Sequence, residues 1–282
     1  MEAETHASTD LDRNDGRFLM NQSVKDFSWS GLTVTVKYRE NKQARDLICD
    51  ISGNVKQGEL VALMEPSGCG KTTLLNVLAR RSPGATKVLI YTYVNGSKVD
   101  AASFRRMTSY VEQEDALIGS LSVWETVRFA ADLSLPTSVS KRERMDRIRT
   151  LLEAFGIQKQ PNTIVGTPIW KGISGGQKRR IIIIASIHQP STNTFQLFDK
   201  LLLLSGRRTC YFGPVQDIES YFRKIDHSIS GNTNPAEFLL DIVSSDFSSG
   251  KESSQERVKE IQNAWAASTE AKTITRQISE RA

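Results

Sequence analysis

Seven of the eight residues Glu65-Pro-Ser-Gly-Cys-Gly-Lys-Thr72 fit the phosphate-binding pattern G-x-x-x-x-G-K-[ST], with Glu65 standing where the pattern has its first glycine. The pattern has a chemical logic. Glycines let backbone N–H groups turn inward around phosphate oxygens, a lysine meets the outer phosphates, and a hydroxyl ligates Mg²⁺. Gly68, Gly70, Lys71 and Thr72 supply those parts, with Pro66, Ser67, Cys69 and Thr73 completing the stretch. Glu65 has two courses. Facing the phosphates at about 5 Å and an effective dielectric near 20, it costs roughly 3 kcal/mol per like-charge encounter, before Lys71 and a metal compensate. Otherwise it turns outward at the strand end. Three further clusters accompany the loop: Ser109-Tyr-Val-Glu-Gln113, Gly172-Ile-Ser-Gly-Gly-Gln177, and His188-Gln-Pro-Ser191 just after an apolar run.

The loop needs a strand before it and a helix after it, and the residues supply both. Glu59 to Met64 is a short apolar run of strand type, and Leu74, Leu75, Val77 and Leu78 fall on one face of a following helix. Leu32 to Arg39 alternates as a strand, and Val88 to Val99 is strand-like with an Asn95-Gly96 turn. From Ser122 the pattern becomes helical. Ser122 with Glu125, and Ser140 with Glu143, have capping-box spacing; Pro136 stops the first helix and Gly156 the second. Strand character returns in Ile181 to Ile187 and in Lys200 to Gly213, the latter broken by a Ser205-Gly206 turn. Asn234-Pro235 starts a late helix, and Val258, Ile261 and Trp265 share one face of another. Residues from about Ser268 onward are polar and expected to fray. The fold class is therefore α/β with a helical insert.

Composition bounds the partners. With 39% hydrophobic and 24% charged residues the 282-residue chain is of ordinary globular type, and its net charge of +5 is too small to imply nucleic acid. Three cysteines without a C-x-x-C pair indicate neither a disulfide framework nor a zinc site. No apolar run approaches the roughly 18 residues that a membrane helix needs, so no transmembrane segment is expected.

Taken in order, the phosphate loop, the Gln113 segment, Ile173-Ser-Gly-Gly-Gln177 and His188 resemble the nucleotide-binding domain of ATP-binding cassette (ABC) transporters. Lys171 to Arg180, IHQPS, FQLFDKLLLLSG, YFGP and NPAEF narrow the resemblance to the white, or G, subfamily of half-transporters, over roughly Phe27 to Ser268. It implies a P-loop NTPase core with an antiparallel β subdomain, ATP and Mg²⁺ as cofactors, and ATP-driven transport of hydrophobic or lipid-like compounds. By the family pattern residues 65–73 and Gln113 bind ATP, and Lys71 holds its β- and γ-phosphates. Thr72 and Gln113 serve the metal, Ser174, Gly175, Gly176 and Gln177 are the signature, and His188 is the switch histidine. Tyr38 is a weak candidate for stacking on adenine. The implied partner is a second half-transporter or its nucleotide-binding domain. By family the location is the cytoplasmic side of a membrane; by its own residues the chain is expected to be cytoplasmic and to lack the membrane domain.

The resemblance breaks in one place. The family carries four apolar residues followed by Asp-Glu, the Walker B motif, to hold Mg²⁺ and activate water. Here no acidic residue occurs from Ala154 to Phe198, and Ile181 to Ile184 is followed by Ala185-Ser186. Only eleven residues separate Gly176 from His188, where two helices and two strands need on the order of 40 residues. The central Walker B strand, its adjoining helices and the catalytic glutamate are therefore expected to be missing, leaving weak ATP binding without hydrolysis. The expected organisation is a disordered tail over 1–25, a cassette over 26–268 with a helical insert at about 116–172, and a polar tail over 269–282. Two alternatives stay open: a non-catalytic cassette that docks on and regulates a complete half-transporter, and an unstable truncated product.

Overall fold

A computed structural model describes residues 24–37, 44–66, 70–81, 87–111, 118, 120–157, 161–164, 183–230, 233–244 and 251–280. The chain divides into two compact units, one of Met1–Asn21 with Val111–Arg179 and one of Gln22–Tyr110 with Arg180–Ala282.

The second unit contains two sheets. In the first, β1 (Asp26–Lys37) lies between β2 (Ala44–Lys56) and β4 (Lys87–Val94), all antiparallel. The second has the order β5-β3-β6-β7. In it β3 (Leu60–Met64) runs parallel to both β5 (Ile183–Ser186) and β6 (Lys200–Ser205), and β7 (Arg208–Pro214) returns antiparallel to β6. Val61 to Met64 and Leu201 to Leu204 are continuously buried, as expected for strands covered on both faces. The expected α/β class and antiparallel subdomain are both present. Asn95 and Gly96 both adopt positive φ (51° and 74°) and close a turn through the Val94–Ser97 bridge, the geometry that favours Asn-Gly.

Helices α1 (Lys71–Leu78), α2 (Ala101–Met107), α5 (Thr192–Phe195), α6 (Ile218–Lys224), α7 (Pro235–Val243), α8 (Lys251–Ala267) and α9 (Thr269–Ser279) belong to the same unit. Residues 269–282, expected as a frayed polar tail, instead contain α9. Ser268 caps it by accepting from the Ala271 N–H, Ile278 is buried, and Asn54 of β2 donates to Gln277 at 3.0 Å. Polar composition hid a face that is used. The expected tail over 1–25 lies outside the described residues except for Val24 and Lys25.

In the first unit, α3 (Val123–Ser134) and α4 (Lys141–Ala154) pack through Val123, Ile148 and Leu152. The Ser122–Glu125 capping box forms in both directions, and Ser140 accepts from the Glu143 N–H. Gly156 ends α4 at φ 68°.

Candidate functional site

β3 delivers the chain to the loop, and α1 receives it. Gly70 sits at φ 120°, a backbone conformation that favours glycine, and a Cβ there would press on Ile48 Cγ1 at 3.2 Å. Helix α1 then starts at Lys71, with Leu74, Val77 and Leu78 buried beneath it.

Glu65 takes the inward course. Its Oε1 accepts the backbone N–H groups of Lys71 at 2.9 Å and of Gly70 at 3.1 Å, and it lies 3.2 Å from Lys71 Nζ. Lys71 Nζ also donates to the Glu65 carbonyl at 3.2 Å. Glu65 is 5% exposed and Lys71 6%. Each charge is thus withdrawn from water only in company of the other, as buried charges require. The second carboxylate oxygen, Oε2, is buried and has no hydrogen-bond partner among the described residues.

Two N–H groups at a helix start and an ammonium thus converge on one anion, the donor set that a phosphate oxygen would use. These residues fit a phosphate ligand, and the Glu65 carboxylate is the group that shows the fit. The side chain was legible in the sequence as a misplaced charge; its partners were not.

His188 comes to the same sheet edge. Leu63 pairs with Ser186 in the parallel register, and Ile187 N–H donates to the Leu63 carbonyl at 3.1 Å. Glu65 and His188 therefore each lie two residues beyond the Leu63–Ser186 pair, at the carboxyl end where open α/β sheets bind ligands. His188 is exposed, Thr72 is exposed at the first turn of α1, and Pro66 and Thr73 are half-buried. The sequence reading missed what holds the histidine segment: Asn234, the cap of α7, donates from Nδ2 to the Pro190 carbonyl at 2.9 Å. Tyr38, Ser67, Gly68, Cys69, Gln113 and the signature residues Ser174, Gly175, Gly176 and Gln177 lie outside the described residues.

The family model described as ABC transporter matches residues 48–199, and a second, described as ABC-2 type transporter, matches residues 188–280. ABC transporter G family member 1 of Dictyostelium discoideum is 32% identical over 77% of this chain and 33% of its own length. ABC transporter G family member 1 of Petunia hybrida is 30% identical over 90% of this chain and 47% of its own. ABC transporter G family member 22 of Dictyostelium discoideum is 33% identical over 78% and 42%. The chain thus spans less than half the length of these three relatives.

The second match corrects two expectations: that the membrane domain is missing from this chain, and that the chain is cytoplasmic with no transmembrane segment. Residues 188–280 themselves match a membrane-transporter family. The expectations rested on the length of apolar runs, which tests for a spanning helix and not for kinship with a membrane domain. In the structure this stretch includes α5, β6, β7 and α6 to α9, and no helix among the described residues is long and apolar enough to cross a membrane. With the larger part of its length matched by the ABC transporter model and its relatives drawn from one subfamily, this chain belongs to the ABC transporter family, within its G subfamily.

Proposed function

We propose that the chain is the nucleotide-binding cassette portion of a G-type ABC transporter, a family whose role is ATP-driven movement of hydrophobic or lipid-like compounds across membranes, and that this cassette binds ATP weakly without hydrolysing it. Family membership carries ATP and Mg²⁺ as ligands. The bound nucleotide would supply the phosphoanhydride bond, and Mg²⁺ would neutralise its phosphate charge. Lys71 would meet the β- and γ-phosphates, and the hydroxyl of Thr72 and the amide of Gln113 would serve the metal. Ser174, Gly175, Gly176 and Gln177 would form the signature, and His188 the switch at the phosphate end. The cassette would occupy residues 26–268, with the helical insert at about 116–172.

The absence of any Asp or Glu between Ala154 and Phe198 carries the catalytic part of the proposal. Hydrolysis needs a carboxylate on the metal and a group that orients water, and the segment in which the family places both is acid-free. The strand pairing supports this: β5 lies directly beside β3, and among the described residues no strand pairs with its other edge.

A titration of the purified chain with MgATP, run alongside Lys71→Ala, tests the binding part. Weak saturable binding that Lys71→Ala abolishes is expected. Equal binding by both proteins overturns the assignment of the loop.

A further inference from the structure

We propose that Glu65 is a tethered occupant of its own loop's anion seat, so that a phosphate ligand enters only by displacing the carboxylate. This rests on the nucleotide-binding assignment and names what sets its affinity. Simple charge repulsion would require only that Glu65 be nearby. The structure has the carboxylate in the seat itself: Oε1 takes the N–H groups of Lys71 and Gly70 and the Lys71 ammonium at 2.9, 3.1 and 3.2 Å.

The two accounts differ in the ligand-free protein. A repelling carboxylate contributes nothing to the empty loop, and its removal leaves melting unchanged or raises it. A seated carboxylate satisfies two orphan donors of the α1 start and neutralises a lysine that is 6% exposed, so its removal weakens the empty loop while opening it to phosphate. The seat is imperfect for a carboxylate, because Oε2 is buried without a partner among the described residues, and such an oxygen carries a desolvation cost. A phosphate oxygen in the same place takes the same donors without stranding that oxygen there.

The test uses the full chain, with Glu65→Gln and Glu65→Gly, each titrated with MgATP and with inorganic pyrophosphate and melted with and without ligand. Glutamine keeps the shape and an acceptor oxygen, which guards against a variant that fails to fold. Expected are a lower melting temperature without ligand and binding tighter by about tenfold or more, equivalent to roughly 1.4 kcal/mol. Unchanged affinity for both ligands, or unchanged ligand-free melting, overturns the proposal; wild-type MgATP binding that Lys71→Ala still abolishes would leave the nucleotide assignment standing. Tighter pyrophosphate binding with the melting loss, but no MgATP binding by any variant, supports the seat and removes the nucleotide assignment. Binding of neither ligand by any variant sinks both.

Discussion

Lys71 Nζ and Glu65 Oε1 lie 3.2 Å apart, with the two side chains 7% and 3% exposed. The pair closes a ring through the backbone, because the same oxygen also takes the Lys71 N–H and the same ammonium reaches the Glu65 carbonyl. Strand β3 and helix α1 are thereby joined at the point where the loop between them would otherwise present bare donors. A departure of one residue from the family pattern becomes a structural clamp.

Removing the cation should expose that clamp. Lys71→Met leaves the carboxylate buried without its counter-charge, and a loss of about 3–5 kcal/mol in urea unfolding is expected. Adding Glu65→Gln should recover most of it, so the double variant is far from additive. Additive losses would mean that the two side chains are not coupled.

The Trp29–Gly53 contact gives an independent check on the antiparallel sheet. The two residues face each other across β1 and β2, and a Cβ on Gly53 would lie 2.4 Å from Trp29 Cζ2, with Trp29 fully buried. Gly53→Ala should cost about 1–3 kcal/mol through overpacking. A denaturation midpoint equal to wild type contradicts the pairing.

What could be read in the residues was local. Ser122 with Glu125, Asn95 with Gly96, and Ser205 with Gly206 act within a few positions, and each forms the element expected. Strand β2 was not legible, because Asp50 adopts φ 52° and the register slips between the Leu32–Ile51 and Val34–Ile48 pairs, which breaks the alternation that marks a strand. The phosphate loop was legible as a pattern, but the course of Glu65 depends on donors that exist only once α1 has formed. Helix α9 was hidden because its apolar residues are few among polar neighbours, yet Ala271 and Ile274 pack against the unit's core and Ile278 is buried.

Asp100 caps α2 by accepting the N–H groups of Ala102 and Ser103, both at 2.9 Å. Hydrogen bonding to Ser103, first from its side chain and then from its backbone, lowers the carboxyl pKa from 3.8 to about 2. The folded value lies below the unfolded one, so the cap's contribution is complete above about pH 4 and is lost as pH falls through about 2. Carboxyl NMR should place the Asp100 midpoint near the lower value. A midpoint at the ordinary aspartate value contradicts the cap.

In the helical unit, Ser122→Ala should cost about 0.5–2 kcal/mol. The Ser122 hydroxyl and N–H hold one oxygen of Glu125 at 2.7 and 2.8 Å, and the Glu125 N–H donates back at 3.2 Å. Bonds from the Ser122 backbone and then its hydroxyl lower the Glu125 pKa. In Ser122→Ala that carboxyl should titrate closer to its ordinary value by NMR; an unmoved titration would show that the hydroxyl contributes nothing.

On the proposed function, this cassette grips a triphosphate without cleaving it. Single-turnover measurement of phosphate release from MgATP, using the Glu65→Gly chain at saturating protein, tests that claim with the seat already vacated. Release no faster than from Lys71→Ala is expected. Release that rises with occupancy and disappears in a Glu65→Gly, Lys71→Ala double variant would contradict it.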